Sequence, residues 1–340
     1  MVLNSPEVSI VVLNFNGKEY LRKFLESVRR QSYKNFEVIV HDTRSTDGSL
    51  EMLRGKYPEV KVIRSEKNYG VSKSWNIGAE HAKGRYVATL PNDVVLDKHW
   101  IKEMLDGLKK DKKAASAGCY IENKEDGYYR GEQCYGFNID LSGNPLTFHQ
   151  PTANYVFSSA GVMFKKDLVG KPYDDEYYFS GDEVFIGWKV LLMGYKTVQV
   201  NKAKLLHEGR ASRRASDFVE YHGEKDKYMN LLIFYSAPIL LRLLPLILAN
   251  VAVTMLTSLF RMRLHVRLKA YLWLITHAAL IVSKRREIQK LRKVDDEEIF
   301  KYVSARTPYE LGVLTPIVNK LLLLYCLILR IPAMEMQKRS

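Results

Sequence analysis

The stretch SIVVLNFNG, residues 9–17, is an apolar run that stops at two asparagines and a glycine. A run this short, bounded by turn residues, forms a buried strand that leads into a loop. Residues 18–31 follow with Leu21, Phe24, Leu25 and Val28 at helical spacing. The alternation then repeats. Residues 36–40 predict a second strand, ended by HDTRSTDGS at 41–49. Residues 48–56 predict a helix and 60–63 a strand. Residues 70–83 predict a helix stopped by Gly84, 85–90 a strand stopped by Pro91, and 100–109 a helix. Strands alternating with helices imply a parallel sheet covered on both faces, with ligands bound beyond the carboxyl ends of its strands. Residues 118–160 show no clean period and are expected to be loop and short strands. A helix is expected again over 182–193, closed by Gly194, and a strand over 195–200.

The chain has 340 residues, 46% of them hydrophobic and 26% charged, too apolar for disorder. Cys119, Cys134 and Cys326 form no CxxC pair. That argues against a disulfide framework or a cysteine zinc site and favours a reducing compartment. The opening MVLNSPEVSI has neither the basic nor the long apolar region of a signal peptide. The net charge of +14 is uneven, +2 over residues 1–200 and +12 over 201–340. Such charge attracts nucleic acid or an anionic membrane. Residues 229–260 hold one charge, Arg242, residues 270–283 none, and residues 311–329 only Lys320. The basic residues thus flank apolar runs instead of lining a polar groove with stacking aromatics, which favours a membrane over nucleic acid.

Two domains are expected, a catalytic domain over 1–227 and a helical membrane domain over 228–340, with hydrophobic helices near 229–260, 267–283 and 311–332. Three crossings would put Arg261, Arg263, Arg267 and Lys269 outside, against the preference of basic residues for the cytoplasmic side. Three crossings are still the expectation, because a short segment can extend into snorkelling flanks. A monotopic anchor, with the second segment lying in the interface, is the alternative.

Four polar groups end strands or open helices. Asp42 and Asp47 can accept from a base or ribose, or can form an Asx-turn and a helix cap. Asn92 and Asp93 follow the fourth strand in LPNDVVLD, where a carboxylate suits a hard divalent cation bridged to substrate phosphates, or where a polar turn follows Pro91. Asp182 and Glu183 open a helix, whose dipole alone favours acids there. A carboxylate facing a cleft could equally serve as a general base. His207, Arg210, Arg213 and Arg214 lie in HEGRASRRAS, which offers a metal ligand and phosphate grips, or a solvated basic linker. Trp188 can stack on an acceptor sugar or fill a core.

In this order the stretches resemble glycosyltransferase family 2, nucleotide-sugar-dependent enzymes with a GT-A fold. SIVVLNFNG is similar to that family's opening strand and HDTRSTDGS to its nucleotide loop. KNYGVSKSWNIGAEHAKGRYVATLPND (67–93) is similar to the stretch leading to its metal motif. GDEVFIGWKVLLMGYK (181–196) is similar to its acidic helix, and HEGRAS to its terminal motif. The resemblance covers about residues 7–215. It implies an α/β domain with a Rossmann-like, mixed but mostly parallel sheet, and transfer with inversion. It implies that Asn14, Asn16, Asp42, Asn92 and Arg210 serve the nucleotide, and that Asp93 with His207 holds Mn2+ or Mg2+. It makes Glu183 the base, with Asp182 as fallback, and leaves Arg213 and Arg214 for a phosphate. Pro91 stands where the first aspartate of the DxD motif would be, and Asp182-Glu183 inverts the family's Glu-Asp order.

The basic, apolar tail places this activity at the cell membrane, with the catalytic domain cytoplasmic. A dolichyl- or polyprenyl-phosphate-linked acceptor is expected there. GDP-mannose is the first donor expected, ahead of UDP-glucose and dTDP-rhamnose. The chain lacks the Q-x-x-R-W motif of processive synthases, so one or a few sugars are expected to be added. The alternative is a non-catalytic scaffold of the same fold that binds nucleotide or anionic lipid.

Overall fold

The computed structural model describes residues 5–124, 133–149, 156–158, 160–209, 217–307, 309 and 312–336. The chain opens with β1 (Val8–Asn14), α1 (Lys18–Arg29), β2 (Phe36–Asp42), α2 (Ser49–Lys56), β3 (Lys61–Arg64), α3 (Val71–Glu80) and β4 (Tyr86–Pro91). These are the elements the alternation predicts, with ends shifted by up to three residues. β1 pairs in parallel with β2, Val8 opposite Phe36 and Asn14 opposite Asp42, and with β4 on its other edge. Val8, Ile10, Val11 and Val12 are all buried, as a strand covered on both faces requires.

The next elements are β5 (Val94–Leu96), α4 (Trp100–Lys110), β6 (Ala114–Asn123), β7 (Gln133–Cys134), β8 (Gly136–Asp140), β9 (Pro145–Phe148), β10 (Val162–Lys165), α5 (Lys166–Val169), α6 (Asp182–Leu192) and β11 (Lys196–His207). The main sheet has the order β3-β2-β1-β4-β10-β6-β11-β5, with β7 on β6. β10 is antiparallel to both β4 and β6, and β5 is antiparallel to β11. The sheet is therefore mixed, where the alternation alone implied a parallel one. Of the loop and short strands expected over 118–160, β7, β8 and β9 are short strands, but β6 is a ten-residue strand that begins before that range. Its opening Ala-Ala-Ser-Ala-Gly lacks bulky apolar side chains, so the hydrophobic signal is weak.

The remaining elements are α7 (Asp217–Phe234), α8 (Ala237–Phe260), α9 (Leu264–Thr276), α10 (Ala278–Gln289), α11 (Asp296–Phe300), β12 (Val303–Ser304) and α12 (Thr315–Leu329). β12 pairs with β8, and β8 with β9, in a small second sheet. α7 runs across the boundary expected at residue 227. The hydrophobic segment expected from residue 229 begins instead at Ala237, because Met229, Leu231, Ile233 and Phe234 are core residues of α7. The segment expected over 267–283 is two helices, α9 and α10, bent by 66°. Among the described residues, α8 and the stretch Gly312–Leu329 are long and apolar enough to cross a membrane, or three spans if the bent pair counts as one.

α7 reads as a polar helix yet is sandwiched. Towards the loop before α6, Lys225 Nζ donates to the Glu176 carbonyl at 2.9 Å and Ser180 Oγ donates to Asp226 Oδ2 at 3.2 Å. Towards α9, Arg267 Nη1 bonds Glu224 Oε2 at 2.8 Å and Tyr271 Oη donates to Glu224 Oε1 at 2.6 Å. Burial pushes Asp226 up to about 7, against the opposing charge and hydrogen bond of Lys225. The folded chain thus holds that proton more tightly than the unfolded chain. The stability Asp226 contributes is full below the ordinary aspartate range and is lost as pH rises through about 7. Between pH 5 and pH 8 the melting temperature of the wild type should fall by a few degrees relative to Asp226→Asn. Parallel thermal scans of the two proteins would measure the difference, and equal slopes would remove Asp226 as its source.

Candidate active site

The carboxyl ends of β1, β2 and β4 meet in one polar knot. The β1–β2 register sets Asn14 opposite Asp42, and Asn14 Nδ2 donates to Asp42 Oδ2 at 2.9 Å. Asp42 Oδ1 accepts from the Ser45 amide at 3.0 Å, which is the Asx-turn that its sequence allows. Asn16 Oδ1 accepts from the Thr46 amide at 2.8 Å, and Asn92 Nδ2 donates to Asn14 Oδ1 at 2.7 Å. Asn14, Asn16, Asp42 and Asn92, singled out separately in the sequence, thus form one connected cluster. Asp47 ties the loop to both flanking helices, accepting from the amides of Lys18 at 2.8 Å and Ser49 at 3.1 Å. Burial alone would raise the Asp47 carboxyl, but its bonds from Ser49 and Lys18 outweigh that and hold it below the aspartate range.

Asn16 and Arg44 both adopt left-handed backbone, at φ 48° and 66°. Such strain in non-glycine residues concentrates at functional loops. Arg44 lines a cavity of about 230 Å³ with Arg64, Ser65 and Glu66, at the ends of β2 and β3. Sequence reading missed these four residues. The place where strand three ends was the available signal. Beneath them, buried His41 meets Ser65 Oγ through Nε2 at 2.6 Å, and burial pushes its imidazole down to about 4.

Asp93 and His207 come together across the β5–β11 pair, where His207 lies opposite Val94. His207 Nε2 is 3.6 Å from Asp93 Oδ1, and its Nδ1 is 3.3 Å from Asn123 Oδ1. The Asn123 contact turns Nε2 toward the carboxylate. One carboxylate oxygen and one imidazole nitrogen offer two donors to a divalent cation. Among the described residues no group of three or more His, Cys, Asp or Glu gathers as a metal site. The residues present fit a cation that takes its other ligands from a diphosphate and water. Pro91 supplies no ligand.

Asp182 and Glu183 open α6 behind Gly181, whose φ of 78° caps the helix without a side-chain bond. A Cβ at Gly181 would stand 2.9 Å from Asp226 Cβ, so only glycine fits. Asp182 is 2% exposed and its Oδ2 has no hydrogen-bond partner, whereas Glu183 is half-buried. Burial raises both carboxyls. The charge of Glu183 raises Asp182 further, while His207 pulls Glu183 the other way. Asp182 is therefore the more deeply buried and more strongly raised member of the pair, and Glu183 the more accessible one.

The loop carrying this pair, residues 171–181, is held by the N-x-G-x-x-x-x-x-N stretch of α3. Asn76 Nδ2 donates to the Tyr173 carbonyl at 2.9 Å and to Asp175 Oδ1 at 2.7 Å. At Gly70, φ 79°, a Cβ would lie 2.5 Å from the Tyr178 carbonyl. Lys189 Nζ, pushed down to about 8 by burial, donates to the Val169 carbonyl at 2.8 Å and to that of Lys171. Trp188 does not reach an acceptor. It is 1% exposed and packs on Phe157, Phe234 and Tyr235, because α6 turns it inward. Arg210, Arg213 and Arg214 lie outside the described residues.

Residues 9–170 match the profile of glycosyl transferase family 2. An uncharacterized glycosyltransferase of Haemophilus influenzae is 29% identical over 206 residues, which cover 54% of this chain and 62% of that protein. The putative teichuronic acid biosynthesis glycosyltransferase TuaG of Bacillus subtilis is 31% identical over 170 residues, 49% of this chain and 65% of that one. The chain thus spans somewhat less than two thirds of these relatives. A structure of Staphylococcus aureus TarS (residues 1–349) with UDP-GlcNAc superposes with a TM-score of 0.51 at 17% identity, covering 69% of this chain and 70% of that one. The likeness to TarS is one of fold. Residues 9–170 are a glycosyl transferase family 2 domain, and the mixed sheet is of GT-A type.

Replacing Trp188 by Ala should cost about 3–5 kcal/mol of stability, the usual range for a large core aromatic. Chemical denaturation measures that cost. A folded Trp188→Ala with unchanged stability would return the residue to the surface.

Proposed function

We propose that the chain is a membrane-associated, inverting glycosyltransferase. It takes one sugar from a nucleoside diphosphate and passes it to a lipid-phosphate-linked acceptor. The observation that carries this reading is one juxtaposition. The Asn14–Asp42–Asn92 cluster, the Asp93–His207 pair and the half-buried Glu183 share the carboxyl-end side of one GT-A sheet.

The Asn14–Asp42 cluster and the Arg44–Arg64 cavity receive the nucleotide. The two guanidinium groups offer charge-assisted bonds to its oxygens. Asp93 and His207 would hold a divalent cation. When bound, that cation offsets the charge developing on the departing diphosphate. Glu183 accepts the proton of the acceptor hydroxyl as its oxygen bonds to the anomeric carbon and the bond from that carbon to the diphosphate oxygen breaks. One base and one in-line attack invert the configuration. Asp182 beside it, raised by burial and by the charge of Glu183, resists bringing a second negative charge into the site.

The donors to assay are GDP-mannose first, then UDP-glucose and dTDP-rhamnose, with UDP-GlcNAc added because TarS was solved with it. Dolichyl phosphate and a short lipid-linked glycan serve as acceptors. Wild type should turn over one donor, lose turnover with chelator and regain it with Mn2+. Glu183→Gln should lower kcat by roughly a hundred- to ten-thousand-fold with donor KM little changed. Its rate–pH profile should also lose an acid limb that lies above the ordinary glutamate range. Nucleotide binding without turnover in either protein would replace the enzyme by a scaffold.

A further inference from the structure

α8 has 24 residues, about 36 Å of helix against about 30 Å of hydrocarbon. Its length permits a crossing, but its neighbours do not. At its start, Ser236 Oγ bonds Asp296 Oδ2 at 2.6 Å. At mid-length, Asn250 Oδ1 accepts from Tyr228 Oη at 2.9 Å. Near its end, Arg267 Nε donates to Ser258 Oγ at 3.3 Å. Just past its end, Arg263 pairs with Glu220 at 3.3 Å, and His265 lies 3.3 Å from Asp217. α8 therefore folds back beside α7, bonded to it at Asn250 and layered on it through α9, whose first residues reach Glu220 and Asp217 at the start of α7. α7 in turn lies on the catalytic half, from Phe218 against Phe179 to Phe234 against Phe185. A crossing by α8 would carry Asp217, Glu220, Glu224 and the loop bearing Asp182 and Glu183 into hydrocarbon, where charges are expensive.

The other apolar helices are tied down in the same way. α9 follows α7 through Arg267–Glu224. α10 is fixed by Lys284 on Asp174, at 2.7 Å to each carboxylate oxygen, and by Arg285 on the Tyr235 carbonyl at 2.6 Å. α12 is bonded to α8 where Arg242 Nη1 reaches the Arg330 carbonyl at 3.1 Å, and Asn319 Oδ1 accepts from the Thr307 amide at 2.9 Å. Both basic clusters, residues 261–269 and 284–293, are thus on the catalytic side. The outward faces stay apolar, with Leu241, Leu248, Leu256, Ile275, Leu321 and Leu327 all more than half exposed. Arg261, Lys269, Arg286 and Lys290 are exposed as well.

We infer that α8, the bent α9–α10 pair and α12 form one face seated in a single leaflet of an anionic bilayer, without crossing it. This rests on the membrane-associated reading above but not on the proposed chemistry. An unpartnered apolar face with exposed basic side chains on the same helices and at their ends fits an anionic lipid surface. The same seating removes the conflict with the positive-inside preference, because no basic cluster leaves the catalytic side.

The test uses the full chain in right-side-out and inside-out membrane vesicles, with a membrane-impermeant maleimide. Reporters are Lys112→Cys on the catalytic domain, Arg261→Cys past α8 and Lys290→Cys past α10. The native cysteines are buried, and wild type controls for them. All three reporters should label in the same vesicle type. Labelling of Arg261→Cys from the face opposite Lys112→Cys, or only after detergent, overturns the single-leaflet seating. Recovery of the chain wholly in the soluble fraction overturns the membrane reading itself. Neither result bears on turnover, so failure of the enzyme reading stays separate.

Discussion

The loop of residues 171–181 is the constraint on which both halves of the molecule depend. From the sheet side, Asn76 grips Tyr173 and Asp175, and the bare backbone of Gly70 abuts Tyr178. From the opposite side, Lys225 holds the Glu176 carbonyl, Asn230 Nδ2 donates to the Gly181 carbonyl at 3.1 Å and Lys284 pairs with Asp174. Ionising two adjacent buried carboxyls at a helix start is costly, because burial disfavours each charge and each charge disfavours the other. The dipole of α6 offsets part of the cost. The rest is borne by a loop fixed at both ends, which leaves the pair no way to swing apart into solvent.

That arrangement makes the C-terminal helices part of the scaffold of the candidate site and not a separate layer. α7 contributes Asp226 directly beneath Gly181, and α10 contributes Lys284 to the same loop. A charged helix buried between two layers is affordable only when nearly every charge has a partner. Here Glu224 meets Arg267, Lys227 and Tyr271, while Lys225 meets Asp226 and the Glu176 carbonyl. Removing the helices would strand those charges, so the domain expected to end at residue 227 has no clean edge there.

How much of this was legible follows from where each signal lies. β1 to β4 with their helices were legible because buried parallel strands write themselves as short apolar runs between turn residues. Asp42 and Asn92 were legible as strand ends, although their bonds through Asn14 depend on a register that no local pattern reveals. β6 was not legible, since small residues at its start carry little hydrophobic signal. Trp188 was ambiguous from the start, because an aromatic in an almost wholly apolar helix gives no face. α7 was not legible, since the run DFVEYHGEKDK has the composition of a solvated segment and only its partners reveal that it is buried.

The hydrophobic tail shows the limit most clearly. Length and composition ask whether a helix could replace water with lipid along its sides, and α8 and α12 pass. They do not ask where its ends and flanks are held. On the single-leaflet proposal, a helix whose start, middle and end are each bonded to a polar neighbour stays on that neighbour's side, whatever its own hydropathy. The basic residues around the bent α9–α10 pair had already objected to three crossings. Their bonds to Glu220, Glu224 and Asp174 are what the single-leaflet proposal rests on, and they are long-range pairings, which a window on the sequence does not contain.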